Sequence, residues 1–157
     1  MRKYFAFVSL LIGMASIAFA SNPPTTLWGC WKVKRALPTT NIAALSQKEV
    51  DRIVGTRIFY SESCAKSGRT LLRSPRYETT TLSEREFFEY AYIPLKQLEI
   101  TGSTVTMVTL SGAEDLRSPF VGSTVFLNGK SPVIEFEGVF FELEKPKSGK
   151  GKYICVK

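Results

Sequence analysis

The segment Leu27-Trp28-Gly29-Cys30-Trp31-Lys32-Val33 constrains the fold more than any other part of this chain. It has the pattern of a β-strand, in which Trp31 and Val33 share one face while Cys30 and Lys32 share the other. A large indole on the inner face of a first strand has to be buried by apolar side chains from other strands. The segment therefore predicts a closed or half-closed β structure whose other walls come from the rest of the chain.

The rest of the sequence supplies further short strands. Asn128-Gly129 is a strong two-residue turn signal in the C-terminal half, and Val139–Glu144 alternates clearly, with Glu142 and Glu144 facing away from its apolar side chains. Turn signals at Lys66-Ser67-Gly68 and at Ser74-Pro75-Arg76-Tyr77 separate earlier segments. Strands are predicted over 28–35, 56–63, 70–72, 77–81, 104–110, 122–127, 132–137 and 139–144, and 153–156 could add an edge strand.

Two capping boxes predict short helices. Ser46-Gln47-Lys48-Glu49 places a serine three residues before a glutamate, and Gly55 supplies a left-handed stop after two to three turns. Ser83-Glu84-Arg85-Glu86 repeats the box before an aromatic run. The aromatic residues alone would suit a strand, but we favour a helical turn that places Phe87 in the core.

These elements predict a mainly β chain with one domain. The turn lengths favour antiparallel pairing, and closure would remove exposed strand edges. We therefore expect a single antiparallel small barrel or strongly curled sheet with one or two short helices. Its domain should span residues 21–145, between a leader over 1–20 and a basic Gly/Lys-rich tail over 146–157.

The leader has the features of a signal peptide. Met1-Arg2-Lys3 is basic, the residues from Phe5 to Phe19 carry no charge, and Ala18-Phe19-Ala20 is a small-x-small cleavage site. Cleavage near Ala20 would leave 137 residues in the periplasm or outside the cell, with a net charge of +5 instead of +7. Much of the excess is lysine in the tail, which suggests weak attraction to anionic envelope components but not a nucleic-acid partner.

Three cysteines follow the leader, at positions 30, 64 and 155. In an oxidising compartment two of them should pair, and the sequence allows three pairings. Cys64–Cys155 is the preferred candidate disulfide, because both residues lie at segment ends where the backbone can adjust. Cys30 would then be a small residue on the outer face of the first strand.

Gly29-Cys30-Trp31 resembles the G-x-W signature that opens the first strand of lipocalins. The exported context and the barrel-sized length are compatible with that superfamily. The resemblance implies an up-and-down antiparallel barrel that has a ligand cavity or a blocked mouth, with Trp31 at the barrel floor. The lipocalin T-D-Y element is absent, and the family's arginine that packs over the tryptophan has a counterpart only if Lys145 takes its place.

Motifs for catalysis are missing from the sequence. The chain contains no histidine, which removes the usual general base and the commonest metal ligand. It has no C-x-x-C, G-x-S-x-G, P-loop or Rossmann fingerprint. The alternating pairs Glu135/Glu137 and Glu142/Glu144 suit the outer face of amphipathic strands better than a catalytic pair. We therefore expect a protein that is not an enzyme and uses neither a metal nor a cofactor.

Binding remains as the expected activity, and one candidate partner is a small molecule. A carrier or sensor would hold an apolar or amphipathic ligand in a barrel cavity beneath Trp31. Its candidate lining is aromatic: Trp31, Tyr60, Phe87, Tyr92, Phe126 and Phe141. The same side chains could instead fill a solid interior, since a barrel of this size can be packed without a cavity.

The alternative partner is a protein. An inhibitor or immunity-type protein that blocks an envelope-acting enzyme would use loops, and arginine with tyrosine in one exposed loop is typical of an interface. The candidate loops are 66–77 and 111–119, and the candidate contact residues in the first are Arg69, Arg73, Arg76 and Tyr77. The sequence leaves the oligomeric state open.

Overall fold

The computed structural model of the chain describes residues 25–38, 44–113, 120–127 and 131–146. A 3₁₀ turn over Thr25–Leu27 leads into the first strand. Two helices, α1 (Gln47–Ile53) and α2 (Glu84–Ala91), and a second 3₁₀ turn over Leu95–Leu98 interrupt the strands. The strands are β1 (Gly29–Ala36), β2 (Arg57–Tyr60), β3 (Cys64–Ser67), β4 (Thr70–Ser83), β5 (Thr104–Ala113), β6 (Thr124–Leu127), β7 (Val133–Phe136) and β8 (Val139–Glu144).

The eight strands form one closed antiparallel barrel. Each strand pairs with its neighbours in chain order, and β8 returns to β1 with Val33 opposite Leu143. Closure pairs each of the eight described strands on both sides, which removes the main route to edge-to-edge aggregation. The predicted small antiparallel barrel with two short helices is confirmed.

The barrel interior is filled by one face of every strand. Trp31 and Val33 point inward from β1, as the sequence predicted, while Cys30 lies on the outer face. We call the inward set the interior cluster. Its larger members are Trp31, Val33, Ile58, Tyr60, Leu72, Tyr77, Val108, Leu110, Val125, Ile134, Phe141 and Leu143.

A second apolar cluster lies outside the barrel wall. In β6, Val125 belongs to the interior cluster and the next residue, Phe126, belongs to the second one. Because successive side chains of a strand point to opposite faces, this second cluster packs on the outer face of β5–β8. We call it the outer cluster: Leu37, Phe87, Ala91, Ile93, Leu95, Leu98, Ile100, Val105, Phe126, Val133 and Phe140.

Both predicted capping boxes form. The Ser83 backbone N–H donates to Glu86 Oε2 at 2.7 Å, and the Glu86 N–H donates to Ser83 Oγ at 3.3 Å. Ser46 and Glu49 make the corresponding box before α1, where the serine N–H donates to Glu49 Oε2 at 2.8 Å. The second box starts a full helix rather than a single turn.

The main differences from the sequence prediction lie in β3, which was not predicted as a strand, and in β4, while the bounds of β2, β5 and β6 differ by up to three residues. The predicted turn at Lys66-Ser67-Gly68 is instead the end of β3, and the chain reverses at Gly68 and Arg69. The predicted break near Ser74 does not end a strand: β4 continues through it with a bulge between Arg73 and Arg76, where Ser74 has a φ of 47°. The Asn128-Gly129 turn and the possible strand over 153–156 lie outside the described residues.

Candidate functional site

Three of the six predicted ligand-lining residues lie together in the barrel interior. Trp31 is 7% exposed, and Tyr60 and Phe141 are fully buried. The Trp31 Nε1–H donates to the Leu27 carbonyl at 2.7 Å, and the Tyr60 hydroxyl donates to the Gly122 carbonyl at 2.9 Å. Burial raises the pKa of Tyr60 well above its ordinary value, so this phenol stays neutral.

The other three predicted lining residues are not in the interior. Phe87 and Phe126 belong to the outer cluster, where their rings make an edge contact at 5.3 Å. Tyr92 follows α2 on the surface and is 73% exposed. The six aromatic residues therefore do not line a common cavity, because α2 lies outside the barrel wall.

Both ends of the interior are covered by chain segments. At the start of β1, Trp28 makes an edge contact with Tyr77, with ring centroids 5.1 Å apart, and Lys145 Nζ lies 3.6 Å from the centroid of the Trp31 ring. At the far end of β1, helix α1 follows, and its Val50 and Ile53 pack against the interior cluster. Among the described residues, the 3₁₀ turn thus covers one end of the interior cluster and α1 covers the other.

A polar atom of the barrel wall is unsatisfied among the described residues. Thr79 Oγ1 is buried and has no hydrogen-bond partner there, and Thr79 lies opposite Val108, which points inward. Ser67 is the one buried polar or charged residue of the described part and is 5% exposed. The members of the interior cluster are apolar or aromatic.

The predicted basic loop is a strand pair, not a loop. Arg69, Arg73 and Arg76 are exposed on the β3–β4 hairpin and beside the β4 bulge. Tyr77 is not exposed: it is 8% accessible, and its hydroxyl donates to the Ser61 carbonyl at 2.8 Å. Burial raises its pKa. Tyr77 is therefore a core residue, and the second predicted loop lies largely outside the described residues.

The carboxylates of the C-terminal strands lie on the outer face, as the sequence predicted. Glu142 forms ion pairs with Lys34 and Arg35, each at 2.8 Å, while Glu144 lies 3.6 Å from Lys32. Glu135 Oε1 accepts the Gly138 N–H at 2.8 Å and so shapes the β7–β8 turn. Within the described ranges, no group of three or more His, Cys, Asp or Glu side chains is placed to hold a metal ion.

The cysteines are only partly covered by the described residues. Cys30 is half-buried on the outer face of β1, and Cys64 is 1% exposed at the start of β3. Cys155 lies outside the described residues, so the Cys64–Cys155 disulfide stays a prediction. A groove of about 350 Å³ beside Cys30 is lined by outward-facing residues of β2 and β3, including Arg57, Phe59 and Lys66.

Sequence reasoning missed the surface of α2. Among the described residues, four large apolar side chains are exposed: Val54, Phe88, Tyr90 and Tyr92. Three of the four belong to α2 or its C-terminal cap. A groove of about 280 Å³ next to them is lined by Tyr90, Ala91, Tyr92, Glu135, Gly138 and Phe140.

The signal for this surface was present in the aromatic run after Ser83. A helix of this run buries Phe87 and Ala91, which leaves Phe88 and Tyr90 on the two flanks of the buried face. The run is compatible with helix or strand, and the exposed positions of Phe88 and Tyr90 follow only once it is known to be a helix with Phe87 buried.

Comparisons with protein-family models, with curated proteins and with solved structures found no match. No helix in the described part of the chain is long and apolar enough to cross a membrane.

Proposed function

We propose that this chain is a non-catalytic binding protein that engages a protein partner through its outer surface. The observation that carries the proposal is the enclosed barrel interior. Trp31, Tyr60 and Phe141 occupy that interior, and both of its ends are covered. When side chains fill the interior of a barrel, a partner binds at the outer surface.

The exposed groups suit a protein partner. Aromatic residues and arginine are enriched in protein interfaces, and both kinds are exposed here. Tyr90 and Tyr92 lie on the α2 side, and Arg69, Arg73 and Arg76 lie around the β3–β4 hairpin. With the predicted signal peptide, these surfaces favour a partner in the periplasm or outside the cell, such as an envelope-acting enzyme.

A small-molecule carrier is the second candidate function. Two observations favour it: the buried Thr79 Oγ1 has no hydrogen-bond partner, and the resemblance to lipocalins implies a ligand cavity. The contact of Lys145 with the Trp31 ring supports that resemblance, since it is the place where the lipocalin arginine is expected. In this function the ligand would be apolar or amphipathic. It would form a hydrogen bond with the Thr79 hydroxyl or displace the Thr79 side chain.

Native mass spectrometry of the mature protein, purified from the envelope of its own cells, separates the two functions. We expect a stoichiometric complex with a second polypeptide that dissociates under denaturing conditions. The complex should be retained by Thr79→Val, which removes the unsatisfied hydroxyl of the interior. A protein that carries only a small-molecule adduct, lost or exchanged in the Thr79→Val variant, would overturn the surface proposal in favour of the carrier.

A further inference from the structure

Among the described residues, the exposed aromatic side chains lie on α2 and at its C-terminal cap. Phe88 is 50% exposed, Tyr90 is 46% exposed and Tyr92 is 73% exposed. Phe88 lies on one flank of the helix, in a groove with Pro94 and Ser103, whereas Tyr90 and Tyr92 line the groove with Glu135 on the other flank. Exposed apolar side chains that occur singly need no explanation, but two aromatic rings at one groove are typical of an interaction surface. We call Tyr90 and Tyr92, with the groove between Tyr92 and Glu135, the α2 face.

The fold anchors the helix that carries the α2 face. Phe87 and Ala91 hold its buried side in the outer cluster, and the Ser83 capping box fixes its first turn. Tyr90 is itself half-buried: its ring lies 6.0 Å from Phe126, and its hydroxyl makes a hydrogen bond with Thr124. Binding at Tyr90 would therefore cost little ordering of that side chain.

The charge on this face is opposite to that of the chain as a whole. The chain has 21 lysines and arginines against 14 acidic residues. In contrast, α2 carries three glutamates and a single arginine, and that arginine, Arg85, is paired with Glu89 at 2.9 Å. Glu135 lines the groove, and Glu137 follows it in the β7–β8 turn.

We propose that the α2 face is the docking surface for a segment of a partner protein that carries lysine or arginine next to aliphatic side chains. This inference rests on the proposed function and names the chemistry of the partner. The aliphatic groups would cover Tyr90 and Tyr92. A cationic side chain would enter the groove, where the tyrosine rings and the Glu135 carboxylate both favour positive charge.

The same charges argue against two other occupants. An anionic lipid surface or a nucleic acid would meet five carboxylates on α2, β7 and the β7–β8 turn. Either would have to bind through the arginines of the β3–β4 hairpin instead.

The test is a titration of the isotope-labelled mature protein with a short peptide of alternating lysine and leucine, followed by amide chemical shifts. A peptide of the same length with glutamate in place of lysine is the control. We expect saturable shifts in α2 and in the β7–β8 turn with the lysine peptide, and none there with the glutamate peptide. Binding should weaken as salt is raised, because the face is exposed to solvent.

Variants then locate the contact. Tyr92→Gly should weaken binding about fivefold or more, since truncation of an interface anchor costs over 1 kcal/mol. Glu135→Gln should weaken binding by about twofold to fivefold, in line with one exposed charge contact. Val54→Ser removes an exposed apolar side chain at the C-terminal cap of α1 and should leave the affinity unchanged.

Each other result overturns the inference, and two of them also bear on the proposed function. Shifts confined to the β3–β4 hairpin with the glutamate peptide would support surface binding but would place the binding site on that hairpin. Shifts in interior methyl groups would overturn surface binding itself. Absence of saturable shifts in α2, or equal affinity of Tyr92→Gly and the parent protein, would overturn the α2 face alone.

Discussion

Lys145 Nζ lies 3.6 Å from the centroid of the Trp31 indole and donates a hydrogen bond to the Trp28 carbonyl at 3.2 Å. The last described segment of the chain thus packs over Trp31 of the first strand. A cation over an indole at a partly exposed site contributes about 0.5–1 kcal/mol. The contact ties the end of β8 to the start of β1, where the barrel closes.

Lys145→Met should therefore lower the free energy of unfolding by about 1 kcal/mol, from loss of the cation–π contact and the hydrogen bond. Lys145→Arg retains a cation over the ring and should lose less. Urea unfolding followed by tryptophan fluorescence measures both. Lys48→Met, which removes an exposed lysine from α1, is the control and should stay within about 0.5 kcal/mol of the parent. Equal losses for the methionine and arginine variants of Lys145 would show that the contact contributes nothing.

Glu142 predicts a pH dependence of stability. Burial acts to raise the pKa of Glu142, but hydrogen bonds from Lys34 and Arg35 outweigh it, so the folded pKa is lowered. A lowered folded pKa stabilises the protein above the unfolded value, which is about 4.3 for glutamate, and this stability is lost as the pH falls through the folded value. The deficit of Glu142→Gln at pH 7 should therefore shrink as the pH is lowered below about 4.

Urea unfolding of the parent and the variant across this pH range provides the measurement. The matched control is Glu144→Gln, two residues along the same strand, whose contact with Lys32 is longer at 3.6 Å. Its deficit at pH 7 should be smaller than that of Glu142→Gln. A Glu142→Gln deficit that is the same at pH 7 and pH 3 would mean that the ion pairs do not couple to folding.

Phe126 connects α2 to the outer wall of the barrel. Its ring contacts Phe87 at 5.3 Å, Phe140 at 5.9 Å and Tyr90 at 6.0 Å. Phe126→Ala should cost about 3–5 kcal/mol, the usual loss for a buried phenylalanine. Amide hydrogen exchange in α2 should accelerate, because the helix loses its anchor.

The comparison for Phe126→Ala is Phe141→Ala, which truncates the interior cluster instead. Phe141→Ala should lower the free energy of global unfolding by a similar amount. The free energy of local opening of α2, measured by amide exchange, should not change. If both variants accelerate α2 exchange equally, the two clusters do not act as separate layers.

Tyr92 has a left-handed backbone where a helix usually ends in glycine, with a φ of 55°. A left-handed conformation costs an L-residue roughly 1–2 kcal/mol, and this side chain is too exposed to repay it by burial. Tyr92→Gly should therefore raise the free energy of unfolding by about 0.5–1 kcal/mol while weakening the docking described above.

Tyr92→Ala separates backbone strain from the loss of the ring. It keeps a Cβ in the left-handed conformation and should give no gain in stability by urea unfolding. A stability gain for the alanine variant equal to that of the glycine variant would mean that the tyrosine ring, and not the backbone, is unfavourable.

Local patterns in the sequence were enough to predict the barrel. The alternation around Trp31 placed that side chain inside and Cys30 outside, and the two serine–glutamate capping boxes located both helices. These features depend on neighbours within a few residues, which is why the sequence alone specifies them.

The site residues depended on contacts that the sequence does not show. Val125 and Phe126 are both buried, so a period of two cannot tell which of them faces the interior when a helix covers the outer wall. Ser74-Pro75 has the composition of a turn, but β3 and β5 hold the segment in one bulged strand. Tyr77 was accordingly predicted in an exposed loop and lies in the core.

The most direct test of a filled barrel that binds through its surface is methyl-resolved NMR of the mature protein under xenon, which enters apolar voids. We predict no saturable shifts for the interior methyl groups of Val108, which lies opposite Thr79, or of Val125 and Ile134 on the next two strands. Saturable xenon shifts at these methyl groups would reveal an accessible void and would contradict surface binding in favour of a ligand carrier.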